Sequence, residues 1–148
     1  TYTGYSALCL AEGLDKEGEI HTIEINEEHA FVAKKYFEKS VNSKKIIQHI
    51  GSGLEIIPKI NKKFQIAFID ADKENYSKYF DLVFDKIDLG GIIIADNVLW
   101  SGKVIDDEMD NETRELNLFN KKITRDSRVE NILLSVRDGL MICRKIEN

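Results

Sequence analysis

The sequence predicts an α/β fold with a mostly parallel sheet that ends in an antiparallel hairpin, and three observations carry that reading. Short apolar, β-branched runs alternate with stretches of helical period along the chain. Two of those runs, Phe64-Gln65-Ile66-Ala67-Phe68-Ile69 and Gly91-Ile92-Ile93-Ile94-Ala95, are nearly continuous, as expected of central strands buried on both faces. The chain closes with two strand-like runs around Arg137-Asp138-Gly139. Asp-Gly between strands marks a hairpin, and a hairpin adds an antiparallel strand to a parallel sheet.

The elements follow in order. Residues 1–11 read as a loop running into a helix, with Thr3 or Ser6 as cap and Ala7, Leu8 and Ala11 on its buried side. No strand precedes that loop. An α/β domain beginning there lacks a central strand, so the chain reads as an N-terminally truncated fragment forming one domain over residues 1–148. Residues 19–25 form a strand. Residues 26–39 form a helix capped by Asn26, with Ala30, Ala33 and Phe37 inward and Glu28, Lys35 and Lys39 outward. A strand at 45–50 leads through Gly51-Ser52-Gly53 into a short helix to Ile57. Strands at 64–70 and 91–96 flank a helix at 74–86. A further helix at 111–125 carries Leu116, Phe119 and Ile123 on its inner side, and strands at 129–136 and 140–146 make the hairpin.

Composition narrows the function classes. Hydrophobic residues at 43% and charged residues at 32% are ordinary for a globular chain, and no apolar run reaches membrane-span length. The net charge of −5 disfavours general nucleic-acid binding. Cys9 and Cys143 sit in apolar patterns without a Cys-x-x-Cys motif, which reads as two buried reduced thiols and a cytoplasmic location.

Both continuous strands deliver oxygen-bearing side chains at the same end. Asp70, Asp72 and Lys73 follow the first, and Asp96 and Asn97 follow the second. Ligands of open α/β sheets bind at that carboxyl edge. Asp70, Asp96 and Asn97, two carboxylates and an amide, beside the Lys73 amine have the composition of a hard-metal site next to a proton acceptor, suited to Mg²⁺, Mn²⁺ or Ca²⁺ rather than Zn²⁺. Asp72 taken alone reads first as a cap.

A second constellation lies earlier. Glu24 ends a strand 20 positions after Gly4, the spacing of an acid that accepts from a ribose diol; a helix-starting surface acid is the equal alternative. Gly53 lets backbone approach an adenine ring, or only serves the turn. The terminal hairpin favours the class I architecture that uses S-adenosylmethionine over a nicotinamide-binding fold, which would end in another parallel crossover. His21, His29 and His49 share no ligand spacing and are assigned no chemistry. Trp100 either walls an aromatic pocket or covers the sheet end. The 106–110 acidic run reads as a solvated loop.

Thr1-Tyr2-Thr3-Gly4-Tyr5-Ser6, Phe68-Ile69-Asp70-Ala71-Asp72-Lys73-Glu74-Asn75-Tyr76 and Ala95-Asp96-Asn97-Val98-Leu99-Trp100-Ser101-Gly102 resemble the cation-dependent O-methyltransferases, the caffeoyl-CoA and catechol family, and its bacterial caffeoyl-CoA-like branch most of all. The resemblance spans essentially the whole chain. It implies a class I Rossmann-like fold and methyl transfer from S-adenosyl-L-methionine to a phenolic hydroxyl of a catechol-like or caffeoyl-type acceptor. It further implies Asp70, Asp96 and Asn97 on a divalent cation, Mg²⁺ first, and Lys73 as general base. Thr1, Ser6, Glu24, Gly53 and Asp72 match cofactor-binding positions; Gly53 stands where relatives often carry Ala or Ser. A homodimer is implied as well. A tRNA hydroxyuridine O-methyltransferase of the same fold and a nicotinamide-dependent oxidoreductase are the rival readings.

Overall fold

A computed structural model describes residues 1–147, and the chain divides into two compact units, Thr1–Ile60 and Asn61–Asn148. In the first unit, α1 (Tyr5–Ala11), β1 (Ile20–Glu24), α2 (Glu27–Phe37), β2 (Ile46–Ile50) and α3 (Gly53–Ile56) follow one another, with a 3-10 turn at Ile57–Lys59. β1 and β2 pair in parallel, from Ile20 opposite Ile46 to Glu24 opposite Ile50. Ala7, Ala33 and Phe37 form a small core against Leu8, Ile20 and Ile46. Asn26 caps α2 as its sequence predicts, its Oδ1 accepting from the Glu28 and His29 backbone at 2.9 and 3.1 Å.

Two expectations fail here. α1 is capped by neither Thr3 nor Ser6; Gly4 occupies the cap position with φ 90°, and no side chain bonds there. A β-carbon at Gly4 would lie 2.6 Å from the Phe37 ring, so close packing selects glycine over a capping hydroxyl. Cys9 is exposed rather than buried. Ala7 and Ala11 face inward one helical turn apart, and Cys9, midway between them, points to the other side.

The second unit contains β3 (Phe64–Ile69), α4 (Tyr76–Phe84), β4 (Ile87–Asp96), α5 (Asn111–Arg125), β5 (Val129–Leu134) and β6 (Leu140–Lys145). Its sheet has the order β3-β4-β6-β5, with β3 parallel to β4 and the terminal hairpin antiparallel, as the Asp-Gly turn predicts. β4 begins earlier than residue 91. It runs back to Ile87 through Gly90 at φ 83°, with a register break against β3 between Phe64 and Ile66. The Gly90-Gly91 pair is therefore a bulge inside a strand rather than its border. A β-carbon on Gly91 would meet the Gln65 carbonyl at 2.9 Å.

Ile69, Ile93, Ala95, Met141 and Cys143 are buried on one face of this sheet, with Phe80, Phe84, Leu116, Phe119 and Ile123 from α4 and α5. The Phe119 ring meets Tyr76 edge-on at 5.5 Å and Phe80 at 6.2 Å. Phe119→Ala should therefore cost about 3–5 kcal/mol of stability in urea unfolding. A loss below about 1 kcal/mol would place Phe119 outside the cooperative core.

The other face corrects the expectation of strands buried on both sides. Phe68, Ile94, Ile142 and Ile132 stand opposite one another across all four strands, and Phe68 and Ile132 are 39% and 56% exposed. The buried residues of α4 and α5 account for the opposite face only. Among the described residues, no helix is long and apolar enough to cross a membrane.

Candidate functional site

The chemistry-bearing side chains of the second unit gather where β3 and β4 end. β3 stops at Ile69, and a turn places Asp70 outside and Lys73 inside. Lys73 is only 6% exposed, and its Nζ donates to Asp70 Oδ1 at 3.3 Å and to Asn97 Oδ1 at 3.2 Å. Its third partner is the Tyr76 hydroxyl, which in turn donates to the Asp96 carbonyl at 2.9 Å. The three donors of one ammonium thus tie β3, α4 and β4 together. The Trp100 ring centre stands 5.5 Å from the same nitrogen.

Burial first, and then the nearby Asp70 and Asp96 carboxylates, push the Tyr76 phenol well above its ordinary value of 10. Tyr76 therefore stays protonated and acts as a permanent donor. Burial, together with its 2.7 Å bond to Asp72 Oδ1, raises the Tyr79 phenol in the same way. The other Asp72 oxygen accepts from Asn75, so the Asp72 carboxylate shapes its own turn while keeping lone pairs on an exposed surface. Asp72 occupies the cap position of the 3-10 turn at Lys73–Asn75, without a side-chain cap bond.

The loop after β4 is conformationally expensive. Asn97, Trp100 and Ser101 have φ of 59°, 48° and 55°, left-handed values that cost non-glycine residues about 1–3 kcal/mol each when held in place. Asn97 is the least penalised of the three by residue type. Its backbone N–H donates to Asp96 Oδ1 at 2.6 Å, which fixes that carboxylate beside the amide.

In the first unit, Glu24 ends β1 with its carboxylate held from two directions. Oε2 accepts from the Tyr2 backbone at 2.7 Å and Oε1 from Asn26 at 2.9 Å. Burial works to raise this carboxyl, but those two backbone N–H groups, together with the charges of the Thr1 amino group and His29, outweigh it and the group titrates below its ordinary value. Each oxygen keeps a further lone pair, so an ionised acceptor for two hydroxyls is fixed in place. The backbone also joins this strand end to the following turn, Gly51 N–H to the Glu24 carbonyl at 2.8 Å. Gly53 opens α3 two residues later. The Thr1 hydroxyl bonds Thr22 and the Ile23 carbonyl at 2.8 Å, fastening the loop to β1, while Ser6 lies exposed on the first turn of α1.

The donor set fits a hard divalent cation. Asp70 and Asn97 each direct an oxygen at one positive centre, the Lys73 ammonium, and Asp96 is pinned next to Asn97. Among the described residues, no group of three or more His, Cys, Asp or Glu side chains is placed to hold a metal. The candidate set has only two carboxylates and completes its triad with an amide.

Sequence reasoning missed several contributors. Tyr76 is one of them: its spacing of three from Lys73 places both on one helical face, a signal present in the sequence. Asp110 is not merely part of a solvated loop; it caps α5, accepting from Thr113 N–H at 2.8 Å. His21 and His49 meet diagonally across β1 and β2, two register positions apart, with ring nitrogens 3.0 Å from each other.

Comparison with known proteins identifies the family and the fold. Residues 1–146 match a protein family described as O-methyltransferase. A caffeoyl-CoA O-methyltransferase of Arabidopsis thaliana is 34% identical over 98% of this chain and 61% of its own length. One from Mesembryanthemum crystallinum is 36% identical over 98% of this chain and 62% of its own. The chain thus spans less than two thirds of these curated relatives. Among solved structures, an O-methyltransferase from Bacillus cereus in complex with SAH superposes with a TM-score of 0.93 at 30% identity, over 98% of this chain and 70% of that one. TomG from Streptomyces achromogenes, in complex with SAM, gives 0.90 at 26% identity over 99% and 70%.

Proposed function

The chain belongs to the O-methyltransferase family and has the class I Rossmann-like fold with a mixed sheet, and from that premise we propose that the whole protein methylates a phenolic hydroxyl of a catechol-like or caffeoyl-type acceptor with the help of a divalent cation. One observation supports this most: Asp70, Asn97 and the buried Lys73 converge on a single point at the ends of adjacent parallel strands.

S-adenosylmethionine supplies an electrophilic methyl group, and the cation favours the phenolate form of an acceptor whose hydroxyl would otherwise stay protonated at neutral pH. The protein does the rest by holding groups in place. Asp70, Asp96 and Asn97 would provide the oxygens that hold the cation beside the acceptor. Lys73 Nζ would act as the proton acceptor after its ammonium releases one proton to solvent, the neutral amine then taking the proton of the acceptor hydroxyl. The Tyr76 hydroxyl, unable to ionise, keeps the Lys73 nitrogen aligned. Trp100 offers a flat face to the acceptor ring. Glu24 receives the ribose hydroxyls, and Thr1, Ser6, Gly53 and Asp72 complete the cofactor contacts by their match to the family positions. With methyl donor and acceptor hydroxyl held side by side, direct transfer would need no covalent intermediate with the protein.

Incubation with S-adenosylmethionine, Mg²⁺ and a caffeoyl-type diol should yield a monomethylated phenol and S-adenosylhomocysteine. Product formed on tRNA but not on any vicinal diol would overturn the acceptor class. The cofactor contact is tested separately. Glu24→Ala should weaken S-adenosylmethionine binding by about 1.5–3 kcal/mol, the scale of hydrogen bonds to a charged group. Unchanged affinity by calorimetry would rule that contact out.

A further inference from the structure

The left-handed backbone at Asn97, Trp100 and Ser101 needs an external constraint, and two parts of the fold distant in sequence supply it. On one side stands the turn of the terminal hairpin. Val98 N–H donates to the Gly139 carbonyl at 3.1 Å and Leu99 N–H to the Asp138 carbonyl at 2.9 Å. Ser101 N–H donates to Asp138 Oδ1. On the other side stands α5, where Asn120 Nδ2 donates to the Val98 carbonyl at 2.7 Å. Contact between turn and loop is close. A β-carbon on Gly139, itself at φ 84°, would lie 2.5 Å from Leu99 Cγ. Arg137 is left-handed as well, at φ 50°, so two unusual backbones brace each other.

We propose that Asp138 and Asn120 are positioning residues for the acceptor side of the site: they lock the loop from Asn97 to Ser101 so that the Asn97 amide oxygen and the Trp100 ring both stay on Lys73. The link to catalysis rests on Asn97 being a cation ligand, as proposed above. The side-chain chemistry is specific. Asp138 uses its own carbonyl for Leu99 and its carboxylate for Ser101, a two-pronged grip that needs an acceptor on Cγ. Asparagine retains that acceptor and alanine loses it. At Asn120 the group in use is a donor, so aspartate at that position would set a carboxylate against the Val98 carbonyl.

Trp100 is the one tryptophan within residues 1–148, and subtracting the spectrum of a Trp100→Phe protein isolates its emission, which then reports the loop without reference to activity. In Asp138→Ala, Trp100 emission should shift to the red and its quenching by acrylamide should rise. Mn²⁺ affinity, read by electron paramagnetic resonance, should fall about tenfold, within the range seen when support of a metal ligand is lost. Affinity for S-adenosylmethionine should stay unchanged, and Asp138→Asn should restore both the emission and the Mn²⁺ affinity. Should Asp138→Ala fail to fold, Asn120→Asp, which reverses one bond, gives the same two readouts. Unchanged Trp100 emission in the variants overturns the proposal. So does an Asp138→Asn protein as defective as Asp138→Ala, or cofactor and Mn²⁺ affinities that fall together. A wild-type protein that binds no Mn²⁺ overturns the cation reading instead, and Trp100 emission then decides the lock by itself.

Discussion

Asp96→Ala should lower methyl transfer to a vicinal diol phenol by more than about a hundredfold, beyond the 10–100-fold loss expected when only the support of a metal ligand is removed. Asp96 combines two roles in one position. Its carboxylate is a proposed cation ligand, and the same carboxylate accepts the Asn97 N–H at 2.6 Å, so its removal takes away one ligand and releases the next. Cofactor affinity should be nearly unchanged, because the proposed cation site serves the acceptor and not the sulfonium. In the unaltered protein, a chelator should abolish the same activity, and Mg²⁺ or Mn²⁺ should restore it. Full activity after exhaustive chelation would show that the oxygen cluster serves the fold alone.

Lys73→Met is expected to reduce kcat by about 10²–10⁴, the usual contribution of a positioned proton acceptor. Methionine keeps the apolar stem in its buried slot and deletes only the nitrogen, so the effect falls on chemistry more than on packing. The deletion also frees Asp70 Oδ1 and Asn97 Oδ1 from their shared ammonium. Cation affinity should therefore hold or rise while turnover falls, a combination that mere disruption of the site would not produce. Tyr76→Phe provides the comparison. It leaves the amine in place and removes its aligning hydroxyl, so a smaller loss of kcat is expected, with KM for the acceptor little changed. A Lys73→Met protein within about threefold of the wild-type rate would remove Lys73 from the mechanism.

The sequence made some of this legible and hid the rest for physical reasons. The bounds of α5 and its inner residues Leu116, Phe119 and Ile123 follow from helical period alone, because one apolar stripe on a polar helix has a single way to bury. Asp70, Lys73 and Asn97 were readable because strand ends place them by chain order. Gly4 as a cap was not readable, since the Phe37 ring that excludes a side chain lies on another helix. The exposure of Cys9 was legible, because a residue midway between the inward Ala7 and Ala11 faces away from them. The grip of Asp138 on Ser101 joins residues 37 positions apart, and no local pattern encodes it.

The positive φ of Asn97 also determines how this position can vary. Two filters act together: the backbone admits asparagine, aspartate or glycine with little strain, and the site demands an oxygen at Cγ. Glycine passes the first filter and fails the second, whereas threonine and glutamate fail the first. The alphabet shrinks to two letters that differ by one negative charge and almost nothing in shape. Exchange between them is thus a built-in charge dial, by which descendants or redesigns of this protein can change the charge facing Lys73, and with it the pull of the proposed cation site, while keeping the loop's backbone conformation.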